Sequence, residues 1–77
     1  MIRKLLERIL GITRKPLTRR ETEVLRYMCR GWQNKEIACH MGIGHQTVKN
    51  HVTHIYQKLG VRNRVQATSY AVRKGWF

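Results

Sequence analysis

The sequence contains no aspartate; its acidic residues are four glutamates. Proline and phenylalanine occur once each, and there are two cysteines. Uninterrupted apolar runs reach only two or three residues, far short of the roughly 20 that a membrane-spanning helix needs. The first fifteen residues, MIRKLLERILGITRK, lack the apolar core of a secretory signal and look more like an amphipathic, Arg-rich transit segment, or a plain helix. Cys29 and Cys39 could form at most one disulfide, a thin framework for a small secreted domain, so reduced thiols in a cytosol are expected. Their separation is also unlike the close cysteine pairs of structural zinc sites. His51 and His54 are one helical turn apart and Cys39-His40 is near in sequence, yet no metal and no cofactor is expected. With no aspartate, no Gly-rich loop and glutamates occupied in capping or surface pairing, the chain does not read as an enzyme.

What the sequence has is positive charge. Lys and Arg total 16 against the four glutamates, giving +12 in 77 residues. A pI near 11.0 points to a polyanionic partner, because cations that neutralise phosphates release condensed counterions. A hydrophobic content of 42% is too high for a disordered basic tail. The length allows one domain with a small core and little room for a substrate cavity.

Periodicity then divides the chain. Ile2, Leu5, Leu6, Ile9 and Leu10 make one apolar helical stripe, backed by Arg3, Lys4, Glu7 and Arg8. Residues 1–16 therefore read as an amphipathic N-terminal helix and linker, and residues 17–77 as the domain proper. The N-terminal stripe has three open uses: packing on the domain, a protein–protein surface, or weak membrane-surface binding. Thr18 and Glu21 form a T-x-x-E capping box that starts a helix carrying Val24, Leu25 and Met28, with Gly31 at its end. A second helix starts at Asn34, buries Ile37, Ala38 and Met41, and stops at Gly42. Ile43 and Gly44 separate it from a third helix, about residues 45–59, whose Val48, Val52, Ile55 and Leu59 form a buried seam. Asn63 can cap a fourth helix running to about Lys74. No stretch alternates with period two, so the fold class is all-α.

A short helix, a tight turn and a longer helix make a helix-turn-helix, whose second member enters the DNA major groove. Burying the seam turns Lys49, Asn50, Thr53 and Gln57 outward. A cation, an amide and a hydroxyl can read base edges: Lys donates to guanine, Asn bonds adenine at two points, and Thr meets a polar edge or a thymine methyl. An ordinary solvated helix face would look much the same, so the pattern alone does not decide.

The order LTRRE, NKEIA, TVKNH, KLGV and RVQA, running from Leu17 to about Gly75, resembles the DNA-binding domain of LuxR/GerE-type regulators, which also ends NarL/FixJ response regulators. The resemblance implies a four-helix domain with bases facing Lys49, Asn50 and Thr53. It implies phosphate neighbours at Gln46, Thr47, Lys58 and Arg64. Lys49 is typical of the family and implies affinity; Asn50 and Thr53 vary among members and imply sequence preference. The family commonly has Ser at the position of Gly44, and most members carry a further sensory domain. A GerE-like stand-alone regulator is the subtype implied, bacterial, phage- or plasmid-borne, and cytoplasmic at the nucleoid. Sigma-factor region 4 shares part of this pattern but fits the stretch from Lys49 to Val61 less well.

In such proteins the last helix commonly forms a dimer contact, and Val65, Ser69, Val72 and Trp76 lie at i, i+4, i+7 and i+11. The expectation is a homodimer through that stripe; the alternative is that Trp76 folds back over its own domain. The resulting reading is a sequence-specific regulator of transcription on double-stranded DNA, with RNA polymerase or another regulator as a further partner and no membrane. The competing reading is a small interaction module that binds and modulates another regulator.

Overall fold

Thr18 starts the first helix in the way its spacing to Glu21 predicts. The Glu21 amide donates to Thr18 Oγ1 at 3.1 Å, and the Thr18 amide donates back to Glu21 Oε1 at 2.9 Å. In the computed structural model, which describes residues 16–77, four helices follow: α1 (Arg19–Cys29), α2 (Asn34–Met41), α3 (His45–Leu59) and α4 (Arg64–Arg73). There is no strand among the described residues. The N-terminal helix expected near residues 2–10 lies outside them.

Three of the four helices open on a side-chain cap that satisfies otherwise unpaired amides. Glu36 Oε1 accepts from the Gln33 amide at 2.8 Å, so α2 begins one residue beyond Gln33 and Asn34 is its first helical residue. Asn63 Oδ1 accepts from the Gln66 amide at 2.9 Å at the head of α4. Gly44 caps α3 without a side chain. The turn between α2 and α3 depends on Gly42, whose φ of 67° is left-handed and strains a residue with Cβ. There the Ile43 amide returns to the Ala38 carbonyl at 3.1 Å, closing α2 and aiming α3 across it.

The core is made where α3 packs against all three other helices. Its seam of Val48, Val52, Ile55 and Leu59 meets Val24, Leu25 and Met28 of α1, Ile37 and Ala38 of α2, and Ala67 and Ala71 of α4. The two alanines are fully buried, and their small side chains let α4 approach closely. Met41, expected in the core, is half-buried at its edge.

One expectation fails here. α4 ends at Arg73, and Gly75, at φ 68°, turns the chain, so Trp76 is not on the helix at all. Its amide donates to the Ala71 carbonyl at 3.1 Å, and its ring lies 5.5 Å from that of Tyr70, packed against the core. The i+11 step to Trp76 presumed a helical turn that Gly75 removes. Val65, Ser69 and Val72 remain exposed, the two valines at 73% and 63%.

Candidate nucleic-acid interface

Helical geometry, about 100° per residue, sets Gln46, Lys49, Asn50, Thr53 and Gln57 on one stripe of α3 opposite the buried seam. All five are exposed. The core thus presents about three helical turns of polar side chains as a single face. Their hydrogen-bonding capacity is partly committed. Gln46 Nε2 donates to Asn50 Oδ1 at 3.1 Å. Thr53 Oγ1 donates to the Lys49 carbonyl at 3.0 Å, which leaves its oxygen lone pairs and its methyl for a partner. Thr47 is also exposed in the first turn of α3.

Besides Gln46, two more residues expected beside phosphate have intramolecular partners. Lys58 Nζ donates to Glu21 Oε1 at 2.8 Å, pinning the end of α3 to the start of α1. Arg64 donates from one nitrogen to the Trp32 carbonyl at 2.9 Å and from another to Asn34 Oδ1 at 2.6 Å. That planar fork ties the head of α4 to the α1–α2 loop and the start of α2. Sequence spacing could not show either contact, since the partners lie 37 and 30–32 residues apart. The Gln46–Asn50 bond was within reach of the sequence, because an amide pair at i, i+4 on a helix can bond.

Glu21 is the one buried charged side chain among the described residues. Burial pushes its carboxyl up, but the Lys58 and Thr18 hydrogen bonds and the Lys58 charge outweigh that and hold it below its usual value. His54 Nδ1 lies 3.7 Å from its other oxygen. Glu23 pairs with Arg20 at 3.1 Å and Glu36 caps α2, so all three described carboxylates hold structure. Both cysteines are free thiols, and burial raises the pKa of Cys29. No group of three His, Cys, Asp or Glu able to hold a metal occurs among the described residues.

At the foot of the stripe lies an open basin of about 400 Å³ lined by Gly31, Trp32, Lys35, His45 and Arg64 among others. It joins the N-terminal ends of α2, α3 and α4, where the basic side chains of Lys35, His45 and Arg64 converge. Neither Lys35 nor His45 stands out in the sequence, because each is an isolated surface residue until the fold assembles the basin.

Residues 15–71 match the family of bacterial regulatory proteins, luxR family. The chain belongs to this family. Among its relatives, the transcriptional regulatory protein DegU of Brevibacillus brevis is 47% identical over 66 residues, covering 82% of this chain and 28% of DegU. The transcriptional regulatory protein LnrK of Bacillus subtilis (strain 168) is 54% identical over 59 residues, 77% of this chain and 27% of LnrK. The chain thus spans about three-tenths of the length of these curated relatives. Among solved structures, the transcription factor GerE superposes with a TM-score of 0.74 at 39% identity, covering 80% of this chain and 92% of GerE. The response regulator ChrA of a heme-sensing two-component system gives 0.76 at 34% identity, over 99% of this chain and 38% of ChrA. The luxR-family helix-turn-helix is therefore α2, the Gly42 turn and α3, with the polar stripe on the outer face of its second helix. The family is one of regulators and not of enzymes. No helix among the described residues is long and apolar enough to cross a membrane.

Proposed function

We propose that this luxR-family chain is a sequence-specific regulator of transcription that binds double-stranded DNA, with α3 in the major groove. The observation that carries the reading is the exposed stripe of Lys49, Asn50 and Thr53 directly opposite the seam that fixes α3 in the core. Lys49 supplies a cation for guanine or phosphate, and Asn50 and Thr53 supply the choice of base. Gln46, Thr47, Lys35 and His45 lie toward the phosphate backbone and set register. Lys58 and Arg64 add positive charge near the backbone while holding the helices together.

The dimer reading rests on Val65, Ser69 and Val72 of α4, without Trp76. Two exposed valines on one face of a helix suit a two-fold contact between copies, and a two-fold protein suits a two-fold site. RNA polymerase or another regulator is the further partner of a DNA-bound regulator. The same valines favour the second reading, an interaction module that docks on a regulator.

The test is selection from a random duplex pool near about 150 mM salt, where charge alone binds weakly. Enrichment of a two-fold motif is the expected result. A single half-site removes the dimer and keeps the regulator. No enrichment overturns DNA reading by α3 and leaves the interaction module.

A further inference from the structure

Lys35, His45 and Arg64 bring three basic side chains to one open basin of about 400 Å³, and no carboxylate is among its lining residues. Within the described residues Lys35 and His45 have no hydrogen bond or ion pair, so the fold does not account for either. Arg64 differs, because it is held. Its guanidinium donates from two nitrogens, to the Trp32 carbonyl at 2.9 Å and to Asn34 Oδ1 at 2.6 Å, and the residue is half-buried. A guanidinium carries five N–H donors, so three remain after these two bonds. Two anchor points fix both the place and the plane of the group, which a single bond would not. Immobilising a long side chain on binding weakens affinity by about two- to tenfold, and here the side chain is immobilised when the chain folds.

We propose that the basin is a seat for one backbone phosphate of DNA, in which Arg64 donates its unspent N–H groups to the phosphate oxygens and Asn34 is the positioning residue that holds Arg64 ready. This seat rests on the DNA-binding reading above and deepens it: an uncharged residue, Asn34, takes part in binding through Arg64. Lys35 and His45 complete the seat from the first turns of α2 and α3. A phosphate lodged there meets the heads of α2, α3 and α4 at once and sets where the helix-turn-helix lies along the strand.

The experiment is fluorescence anisotropy of a labelled duplex at several salt concentrations with the full chain, Asn34→Ala, Arg64→Ala and the double variant. Phosphate contacts carry no sequence information, so any duplex serves. Asn34→Ala is expected to weaken binding about threefold at every salt concentration with an unchanged slope. No charge is lost, and only the holding of Arg64 is relaxed, with the Trp32 carbonyl still in place. Arg64→Ala is expected to flatten the slope by about 0.9 and to weaken binding about fivefold near about 150 mM salt. The double variant should bind as Arg64→Ala does, since Asn34 acts through Arg64. Binding is measured well below the melting temperature, with circular dichroism verifying the fold, so that lost stability is not read as lost affinity. Should Arg64→Ala not fold, nuclear magnetic resonance of the Arg64 guanidinium in the unaltered chain takes its place: the N–H signals are expected to move when duplex is added.

An unchanged slope in Arg64→Ala, or guanidinium signals that do not move, separates Arg64 from phosphate and overturns the seat. Unchanged affinity in Asn34→Ala overturns the positioning role. A further loss of about threefold in the double variant does so too, because Asn34 would then meet the DNA by itself. A random-duplex selection that enriches nothing defeats base reading by α3 and leaves the seat to be judged by the slope. A chain that binds no duplex at all overturns both.

Discussion

Glu21 joins the start of α1 to the end of α3 through a single carboxylate. Its carboxylate caps α1 through the Thr18 amide and reaches across to Lys58 at the far end of α3, with 5% of the side chain exposed. Removing Lys58 leaves that buried charge without its counterion. Lys58→Met is expected to lower stability by about 1–2 kcal/mol, the lower part of the range for charged hydrogen bonds, because the lysine is 37% exposed and screened by water. Thermal melts check this: about 4–8 °C per kcal/mol for a domain of this size. The pH dependence follows from the same contacts. A folded-state pKa below the unfolded value means stability is fully present above about 4.5 and falls as the pH drops through the lower folded value. Acid titration of Glu21→Gln should show a flatter loss over that window; a curve of unchanged shape would remove Glu21 from the account. Gly44 is the opposite case, a cap with too little chemistry. Its φ of −70° suits any residue, and a Cβ there would stand 3.7 Å from Thr47 Oγ1. Gly44→Ser should stabilise α3 by a few tenths of a kcal/mol, read as a rise in melting temperature of about 1–3 °C. At this scale the sequence declared the Thr18–Glu21 box and the outward face of α3. It did not declare that Glu21 holds Lys58, since contacts between distant residues exist only once the helices have packed.

Among the elements, α4 shows both what periodicity reveals and where it stops. Ala67 and Ala71 are legible as the inward face because small residues repeat at i, i+4, and both are buried. The same arithmetic extended to Trp76 fails because Gly75 ends the helical count, and an aromatic past the end has a core edge to fill. The four helices, their stops at Gly42 and Gly60, and the seam of α3 were all readable, since each is a local matter of caps and a 3.6-residue repeat. What holds α4 in place was not readable: Arg64 grips the Trp32 carbonyl and Asn34 Oδ1 at once. A lysine cannot span both acceptors with a fixed fork, so Arg64→Lys should cost stability nearly as much as Arg64→Ala, about 1.5–3 kcal/mol in urea melts. A lysine that restores full stability would mean that charge alone matters there. On the outer face of α4, Val72→Glu should leave the melt unchanged at concentrations where the chain is monomeric, because the valine is 63% exposed. If α4 is the dimer contact, that variant sediments as a monomer and recovers half-sites in place of a two-fold motif.

For the molecule as a whole, charge and shape divide the work. The +12 net charge acts on any polyanion at a distance set by salt, whereas the α3 stripe distinguishes one duplex from another only on contact. The two contributions respond to different variables and can be measured apart. Each phosphate neutralised adds about 0.9 to the slope of log affinity against log salt. Lys35 stands in the basin at the joined ends of α2, α3 and α4, whose lining does not include Lys49, Asn50 or Thr53. Lys35→Ala is therefore expected to weaken binding to every duplex alike and to flatten the slope by about 0.9. Thr53→Ala removes no charge. It should leave the slope unchanged while relaxing preference at a single base pair, because the methyl and the oxygen lone pairs it presents are lost together. Fluorescence anisotropy of labelled duplexes at several salt concentrations reads both quantities for both variants. If Thr53→Ala flattens the slope as much as Lys35→Ala, the polar stripe lies against phosphate and α3 does not enter the groove face-on. If Lys35→Ala changes preference instead, the basin sits over bases and the helix-turn-helix docks the other way round.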